Sequence, residues 1–372
     1  MLQKANFSTC LVCYESSKLP SKDVFDKIQI HRFLSPQIEN VKSLFSIRKK
    51  EVNRLIKTYS FKAVWCNDHT MLDIGRRIKK KNKDIFLIYD SHEFFQDYQL
   101  EFSDNDSLFV KIKSKMWIFL QRKIERKNSK NIDLLISIND SIANELKKIF
   151  KVICPVFSIK NIPDHLMVHE GLELSQEIVS NLEENKKNLN LLYIGNYIKK
   201  LNGLETVFYA IKEKPKVRLV ILGTTKSQKH FEKIIAKLNI KDQVLVINRQ
   251  PIELIPSVAK YCQIAVIPTL ECGILQNYFS LPNKFFDSIK LSLPIICSNL
   301  PEQRNIIEKF NNGVLTDPFS EKKATQDIIT AIDKIESDMD KYNSAAKKAN
   351  QFYSYQREYE HLINHLKASL TS

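Results

Sequence analysis

The chain has 372 residues, of which 43% are hydrophobic, and a formal net charge of +15 at pH 7. Because this length exceeds what one hydrophobic core usually supports, it predicts two domains of roughly 150 to 200 residues each. No apolar run approaches the roughly 18 residues of a membrane-spanning helix, and the first residues do not resemble a secretory signal, so we expect a cytoplasmic protein. The basic excess can attract nucleic acid, anionic lipid or phosphorylated ligands. Since no nucleic-acid-binding motif accompanies it, nucleic acid is not an expected partner.

Short apolar runs alternate with longer amphipathic segments along the chain. The runs are STCLVCYE, KAVWCN, IFLIYDSHE, LLISIN, LNLLYIG, VRLVILG, QVLVIN, QIAVIPT and LPIICSN. Such alternation is typical of parallel sheets with helices on both faces, so the predicted class is α/β with two Rossmann-like, doubly wound domains. Ligands of such sheets bind outside the carboxyl ends of the strands, in a cleft between two such domains.

A polar, charged segment separates the two series of strands. We expect a first domain over residues 1–165, a linker over 166–188 and a second domain over 189–348. The first domain opens with MLQKANFSTC, which reads like the end of a helix before a second strand. This predicts either an architecture without the first strand and helix or, as the favoured interpretation, a sequence shortened at its start.

Two segments concentrate the positive charge, residues 76–83 and residues 111–130. Read as a helix, the second segment mixes its cations with apolar and aromatic residues, namely Val110, Ile112, Met116, Trp117, Phe119 and Leu120. Such a mixture suits peripheral contact with an anionic membrane. The alternative is a helix packed on the sheet with solvated lysines, and the sequence leaves both interpretations open.

A series of motifs follows in fixed order from about residue 60 to the C-terminus. The motifs are YDSHEFF (89–95), DLLISINDSIANEL (133–146), IKNIP (159–163), LLYIGNYIKKLNGLE (191–205), LVILG (219–223), AVIPT (265–269) and LPNKFFDSIKLSLPIICSNLPE (281–302). In this order and spacing the chain resembles retaining glycosyltransferases of family 4, the glycosyl transferases group 1, with the GT-B fold. The resemblance implies a nucleotide-sugar donor on the second domain, a glycan or lipid-linked acceptor on the first, and a C-terminal helix over residues 349–372 that crosses back to the first domain. It also implies transfer with retention and without a metal or other cofactor, and no Asp-x-Asp motif stands at a predicted strand end.

The resemblance assigns donor contacts to the LPNKFFD stretch. In this family an acid at the position of Asp287 hydrogen-bonds the ribose hydroxyls, and a carboxylate can accept two hydroxyl donors at once. The turn formed by Pro282, Asn283 and Lys284 offers backbone amides at a helix N-terminus to the diphosphate. Lys284 adds a positive charge.

The stretch after the second domain's first strand departs from the family pattern. Family members often present an Arg and a Lys to the phosphates between two glycines, whereas here Gly195 is followed by Asn196. Lys199 or Lys200 could substitute, although a flexible surface lysine is an equally good interpretation. Gly223, at the end of LVILG, completes the expected donor set.

The paired-glutamate motif of the family also departs here. Its first acid would stand eight residues before Asp287, where this sequence has Phe279. Glu271, farther upstream, could take over the sugar contacts and is the candidate catalytic acid of this loop.

Polar residues at two strand ends of the first domain are the acceptor-side candidates. His92 of DSHE matches a position where related enzymes place polar groups that face the sugar, and it is the candidate catalytic histidine. Asp68, Asp90 and Glu93 are its neighbours at strand ends, where α/β sites assemble. A histidine that only braces a loop is an equally good interpretation.

The predicted function is glycosyl transfer in surface polysaccharide or glycolipid synthesis, by an enzyme that can lie at the inner face of the membrane. Two alternatives remain: a sugar-nucleotide epimerase of the same fold, and a catalytically inactive protein that binds nucleotide sugars.

Overall fold

The computed structural model describes residues 2–14, 20, 22–25, 27–33, 50, 53–99, 107–163, 172–198, 203–225, 228–271 and 273–371. The chain divides into two compact units. The first unit combines Met1–Ile159 with Tyr359–Ser372, and the second spans Lys160–Glu358. None of the helices in the described ranges is long and apolar enough to cross a membrane.

The strands of the described residues are β1 (Cys10–Tyr14), β2 (Lys22–Phe25), β3 (Ile28–Phe33), β4 (Ala63–Asn67), β5 (Phe86–Ser91), β6 (Leu134–Ser137), β7 (Val156–Ser158), β8 (Leu189–Ile198), β9 (Val217–Thr225), β10 (Val244–Ile247), β11 (Ile264–Ile267), β12 (Ile295–Ser298) and β13 (Gly313–Thr316). Each predicted apolar run overlaps one of these strands.

Residues 53–58 are helical. The other α-helices of the described residues are α1 (Asp68–Lys81), α2 (Leu108–Asn128), α3 (Asp140–Phe150), α4 (Gln176–Glu184), α5 (Leu204–Lys212), α6 (Gln228–Leu238), α7 (Ile255–Ala259), α8 (Leu275–Tyr278), α9 (Asn283–Lys290), α10 (Pro301–Phe310), α11 (Glu321–Ser337), α12 (Met339–Phe352) and α13 (Tyr355–Thr371).

The first unit contains a parallel four-stranded sheet in the order β4-β5-β6-β7. Every residue of β6 is buried, as expected for a parallel strand covered on both faces. Leu362 and Leu366 of α13 pack with Ile88, Leu134 and Ile136, so the end of the chain belongs to this core. A separate three-stranded sheet has the order β1-β3-β2, in which β1 and β3 are parallel.

The opening residues have the hydrogen bonds of a helix C-terminus. Residues 2–6 form turns, with the backbone N–H groups of Asn6 and Phe7 bonded to the carbonyls of Gln3 and Leu2. Asn6 has φ +66°, the left-handed conformation that commonly ends a helix together with these two bonds.

The second unit contains a parallel six-stranded sheet in the order β10-β9-β8-β11-β12-β13. Alternate residues of β8 enter different cores: Leu192 packs with Phe285 and Phe286, whereas Leu191 packs with Phe208 on the other face. Helices therefore cover both faces, and the predicted α/β fold with doubly wound parallel sheets is confirmed.

The segment 166–188, expected as a linker, is described from residue 172 onward, and that part lies in the second unit. There α4 begins at Ser175, whose side chain caps the helix by accepting from the N–H of Ile178. Leu182 of α4 is fully buried in the core of this unit, so the segment packs against the sheet.

Candidate functional site

Two glycines bring the ends of β8 and β9 into backbone contact. A Cβ atom at residue 223 would lie 1.6 Å from the carbonyl oxygen of Gly195, and Gly223 has φ +144°. Only glycine fits such a close approach in this conformation. The register of β8 against β9 also shifts between Ile194 and Tyr197, which places a bulge at Gly195 and Asn196. The carboxyl ends of these strands are therefore held in a special backbone geometry.

A third glycine positions the start of α5 at the same edge of the sheet. Gly203 has φ +71°, and a Cβ there would lie 2.7 Å from the carbonyl oxygen of Pro268, just after β11. No side chain caps the helix that begins at Leu204, and the N–H of Thr206 is bonded to the carbonyl of Gly203. The N–H groups of Leu204 and Glu205 are therefore the ones that a ligand with negative charge can bind.

The α9 helix starts at the carboxyl edge as well. Pro282 is its N-cap, no side chain caps it, and the first turn is closed by the N–H of Phe285 bonded to the carbonyl of Pro282. The Asn283 side chain accepts a hydrogen bond of 2.9 Å from Asn161. The first turn thus combines oriented amides with the positive end of the helix dipole, which favours an anion.

Lys284 is directed from α9 toward β8. Its Nζ donates to the hydroxyl oxygen of Tyr193 at 2.8 Å and lies 4.1 Å from the centre of that ring. Burial lowers the pKa of Lys284 to about 8. Without a carboxylate partner in the described residues, this ammonium group is available to a diphosphate.

Asp287 lies one helical turn after Lys284 and is partly buried. Within the described residues, no group bonds its carboxylate. Burial raises the pKa of Asp287 from 3.8 to about 7. A carboxylate withdrawn from water without a partner is costly, so it is a strong candidate for a ligand contact.

Glu271 lies in the loop between β11 and α8, and a local contact occupies its carboxylate. Its Oε1 accepts from the N–H of Gly273 at 2.7 Å, and its own N–H donates to Pro318 at 2.7 Å. Phe279, at the position of the family's acid, follows α8, with its ring 5.4 Å from that of Tyr278. The geometry thus gives Glu271 a bracing contact within the loop, and its catalytic role stays a prediction.

Some predicted donor residues fall outside the described part of the chain. Lys199 and Lys200 are not described, and of Asn196 only the backbone in β8 is described. Gly195, Gly223, Pro282, Asn283, Lys284 and Asp287 all lie toward the carboxyl edge of the second sheet or on the helix that starts there.

The first unit brings the acceptor-side candidates together at the carboxyl ends of β4 and β5. The imidazole Nε2 of His92 lies 3.2 Å from Asp90 Oδ2, which also accepts from the indole N–H of Trp65 at 2.9 Å. Asp68 Oδ1 accepts from the backbone N–H of His92 at 3.0 Å. The hydrogen bond to Asp90 raises the pKa of His92, and the nearby carboxylates of Asp68 and Glu93 act in the same direction.

A buried polar network supports this cluster from α2. The Glu125 carboxylate accepts from the hydroxyl of Tyr89 and, at 2.5 Å, from the amide of Gln96. Burial raises the pKa of Glu125 to about 7. Arg126 donates to Gln96 at 2.7 Å, so the network fixes α2 against the loop that follows β5.

Sequence reasoning missed Tyr193 and Glu125. Tyr193 stands inside the apolar run LNLLYIG, and Glu125 is the one acid in a strongly basic helix. Their chemistry could have indicated them. A tyrosine hydroxyl in a buried strand and a single acid among cations both require hydrogen-bond partners, which predicts polar contacts at these positions.

A basic cavity of about 1200 Å³ opens at the other end of the first sheet, where β5, β6 and β7 begin. Its lining cations are Arg76, Lys79, Lys80, Lys83, Lys130 and Lys151. Asp133 in its wall is paired with Lys79. The cavity lies at the amino ends of the strands and is separate from the candidate site.

Within the described residues, no group of three or more His, Cys, Asp or Glu side chains is placed to hold a metal ion.

Comparison with solved structures matches almost the whole chain. Sucrose-phosphate synthase of Thermosynechococcus elongatus is 14% identical with a TM-score of 0.68, over 100% of this chain and 88% of that one. HepE of Anabaena, solved in complex with UDP, is 14% identical with a TM-score of 0.68, over 92% of this chain and 87% of that one. A glycosyltransferase of Rickettsia africae ESF-5 is 12% identical with a TM-score of 0.69, over 99% of this chain and 92% of that one.

A search of curated proteins gives no significant match. Residues 175–352, most of the second unit, match the family model of the glycosyl transferases group 1. The chain therefore has the α/β fold of GT-B glycosyltransferases, and its second unit carries the sequence pattern of the glycosyl transferases group 1.

Proposed function

We propose that this protein is a glycosyltransferase that moves a sugar from a nucleoside diphosphate sugar to a glycan or lipid-linked acceptor, with retention at the anomeric carbon. The observation that carries the proposal is the pair Lys284 and Asp287 at the start of α9. Both are charged groups with shifted pKa values, and neither has an ion-pair partner in the described residues. They lie within the segment that matches the glycosyl transferases group 1 model.

The donor contacts follow from the chemistry of these groups. The ribose of a nucleotide offers two neighbouring hydroxyl donors, which the carboxylate of Asp287 can accept together. The diphosphate is an anion, and it suits the free amides of α9 and the ammonium of Lys284. That HepE, a structural neighbour, was solved with UDP supports a nucleoside diphosphate in this fold.

Catalysis would rest on stabilising the departing nucleoside diphosphate. Negative charge grows on the diphosphate as the glycosidic bond breaks, and fixed donors then stabilise it more strongly than they stabilise the bound substrate. Lys284 and the uncapped first turns of α5 and α9 are such donors. The proposed transfer therefore uses no divalent metal: full activity in EDTA is expected, and activity that returns only with magnesium or manganese would contradict it.

We assign the acceptor to the first unit, through Asp68, Asp90, His92 and Glu93. The imidazole of His92 is 53% exposed and oriented by Asp90, so one face of the ring is open to a substrate. The proposed transfer contributes to the synthesis of a surface polysaccharide or glycolipid at the cytoplasmic side of the membrane.

Ligand-dependent stability tests the donor site directly. Thermal unfolding with UDP, GDP, ADP and their sugars should show stabilisation by one base, since a ligand at 100 times its Kd adds about 2.7 kcal/mol. Asp287→Ala should remove much of this shift. Asp333→Ala is the matched control, because Asp333 lies in the same unit in an exposed ion pair with Lys214. Equal shifts in both variants would remove Asp287 from the site.

Product analysis separates transfer from the alternatives. With the stabilising sugar nucleotide, a transferase releases nucleoside diphosphate and forms a product with the donor's anomeric configuration, which NMR detects. An epimerase would change the sugar and keep it on the nucleotide, and an inactive binding protein would do neither.

A further inference from the structure

The α2 helix of the first unit has its polar side turned inward. Of its 21 residues, only Ile118, Glu125 and Asn128 are buried, and two of these are polar. Its large apolar residues face outward: Phe109 is 75% exposed, Met116 57% and Phe119 55%. A helix that merely covers a sheet shows the opposite arrangement, with its apolar stripe toward the core.

The inward contacts fix this orientation. Glu125 is bonded to Tyr89 and Gln96, and Arg122 donates to the carbonyl of Tyr98 at 2.6 Å. Rotating α2 to bury its apolar residues would leave these buried polar groups without partners, which is unfavourable. The apolar face therefore stays outward in the folded protein.

The charges on the outward side all have one sign. Exposed cations accompany the apolar residues along the helix, namely Lys113, Lys115, Lys123 and Lys127. The only acid of α2 is the buried Glu125. Lys123 lies over the ring of Phe119, 4.4 Å from its centre, so cations and aromatic groups form one surface. We call this surface, from Leu108 to Lys127, the outer face of α2.

Charge complementarity selects the occupant of this face. A second copy of the chain would bring another +15 charge and the same cations, so it is disfavoured. A nucleic acid backbone would satisfy the cations but leave Ile112, Met116 and Phe119 without apolar contacts. An anionic bilayer offers acidic headgroups for the cations and an acyl boundary for the apolar groups.

The chain connection places the beginning of this face next to the acceptor-side cluster. Since α2 connects the parallel strands β5 and β6, it starts at the carboxyl end of the sheet and runs back to the amino end. The carboxyl end is where Asp68, Asp90 and His92 lie. The most apolar part of the outer face, Leu108 to Leu120, therefore lies at the same end of the sheet as these residues.

We infer that the outer face of α2 seats the first unit on an anionic lipid bilayer, and that the acceptor is a sugar or alcohol carried by a lipid of that bilayer. The bilayer contact stands on the helix alone, whereas the lipid acceptor rests on the proposed function. Phe109, Met116 and Phe119 enter the headgroup region, and the lysines contact anionic headgroups. The acceptor then reaches the His92 cluster without leaving the membrane.

Vesicle flotation tests the contact independently of catalysis. The protein is mixed with phosphatidylcholine vesicles that contain either no phosphatidylglycerol or about 30% of this anionic lipid. Each mixture is measured at low and at physiological salt. We expect binding to the anionic vesicles only, weakening with salt. Replacing Lys113, Lys123 and Lys127 with Gln should weaken binding on the order of 100-fold or more, since each cation contributes about a factor of five to ten.

A charge-matched control separates the outer face from overall charge. Replacing Lys80, Lys83 and Lys151 with Gln removes the same charge from the basic cavity and should weaken binding by much less. Replacing Phe109, Met116 and Phe119 with Ser tests the apolar part and should abolish flotation while thermal stability is retained, because these side chains are exposed. Equal losses in the two lysine variants, or unchanged flotation of the serine variant, would overturn the proposal.

Two further readouts complete the test. Sedimentation of the wild type and the serine variant detects self-association, and a dimer that only the wild type forms would assign the face to a second copy. If the protein binds a duplex oligonucleotide as strongly as anionic vesicles, the assignment of the outer face to a bilayer is likewise contradicted.

If flotation succeeds but labelled sugar enters only water-soluble products, the bilayer contact holds and the proposed lipid acceptor is wrong. Thermal stabilisation by the nucleotide should be equal in all these variants, so a failed donor site would be recognised separately.

Discussion

The two units present different carboxyl edges, although both are parallel α/β sheets. In the second unit, Lys284 and Asp287 are partly buried and have no ion-pair partner in the described residues. In the first unit, His92 is exposed and paired with Asp90, and Asp68 bonds the backbone of the same residue. One edge thus keeps its charges unpaired, and the other edge has already paired them.

This difference indicates which unit gains binding free energy when a ligand pairs with its charged groups. Burying an unpaired charge destabilises the folded chain, so a ligand that supplies the missing partner recovers this free energy on binding. A cluster whose charges are already paired and solvated adds little to the affinity for a ligand. Its role is to orient a group that acts on the substrate. We therefore expect substitutions in the second unit to change affinity and stability together, and substitutions in the first to change turnover.

The largest effect is expected from Gly223→Ala, which disrupts the second edge itself. The new Cβ would lie 1.6 Å from the carbonyl oxygen of Gly195, so β8 and β9 must separate. Unfolding in urea should show a loss of roughly 3 kcal/mol, in the range of overpacking and backbone strain combined. Gly273→Ala is the control, since it also has positive φ but nothing lies within 4 Å of its Cβ. An equal loss in the two variants would exclude the close approach as the cause.

Asp287→Ala removes the unpaired acid and should weaken donor binding by about 1 to 3 kcal/mol, the cost of an unmade hydrogen bond to a charged group. Isothermal titration with the nucleotide that stabilises the wild type measures this loss. Asp287→Asn should recover part of the affinity, because the amide oxygen still accepts a hydroxyl. An affinity equal to wild type in both variants would contradict the ribose contact.

The same residue predicts a pH dependence of stability. The pKa of Asp287 is about 7 in the folded chain against an ordinary value of 3.8, so the folded state holds a proton that the unfolded state releases. Stability from this group therefore falls as the pH rises from about 4 to about 7. Asp287→Asn lacks this titration. Its free energy of unfolding relative to wild type should therefore rise by on the order of 2 kcal/mol from pH 4.5 to pH 8, as measured by urea unfolding. A constant difference across this range would show that the carboxyl is solvated.

Lys284→Met tests the phosphate side of the second edge. The folded pKa of about 8 lies below the ordinary 10.5, so the charged form is disfavoured in the folded state, and stability from this group rises as the pH goes from 8 to 10.5. In the wild type, affinity for nucleoside diphosphate should fall as Lys284 loses its proton above pH 8. The methionine variant should bind roughly tenfold more weakly at pH 7, without that fall. A parallel pH dependence in both proteins would exclude Lys284 from the phosphate contact.

Apolar periodicity predicted most of the fold because the parallel strands are buried on both faces. It missed β7 and β13, whose sequences VFS and GVLT are too short and mixed to form an apolar run, and it also missed β2 and β3. It also could not predict the separate sheet of β1, β2 and β3, since strand pairing between distant segments leaves no local periodicity.

The candidate site was predictable where one motif contains several of its residues, as in LPNKFFD. Lys284 and Asp287 were found this way, and their roles stay predictions. Tyr193 was missed because its contact with Lys284 spans 91 positions of sequence. The orientation of α2 was also undecided from sequence, because the partners that turn Glu125 inward, Tyr89 and Gln96, lie in another element.

The smallest effect is expected at the first edge, from Asp90→Asn. The hydrogen bond from the imidazole to Asp90 is the largest cause of the raised pKa of His92. Replacing this carboxylate should therefore lower the pKa of His92, and NMR titration of the imidazole protons measures the change. His92→Gln should reduce turnover about tenfold or more with donor affinity unchanged, as for a group that acts on the acceptor. If the pKa of His92 is the same in Asp90→Asn, or if His92→Gln weakens donor binding and leaves turnover intact, the first edge does not orient an acceptor-side group, and the difference between the two edges has another cause.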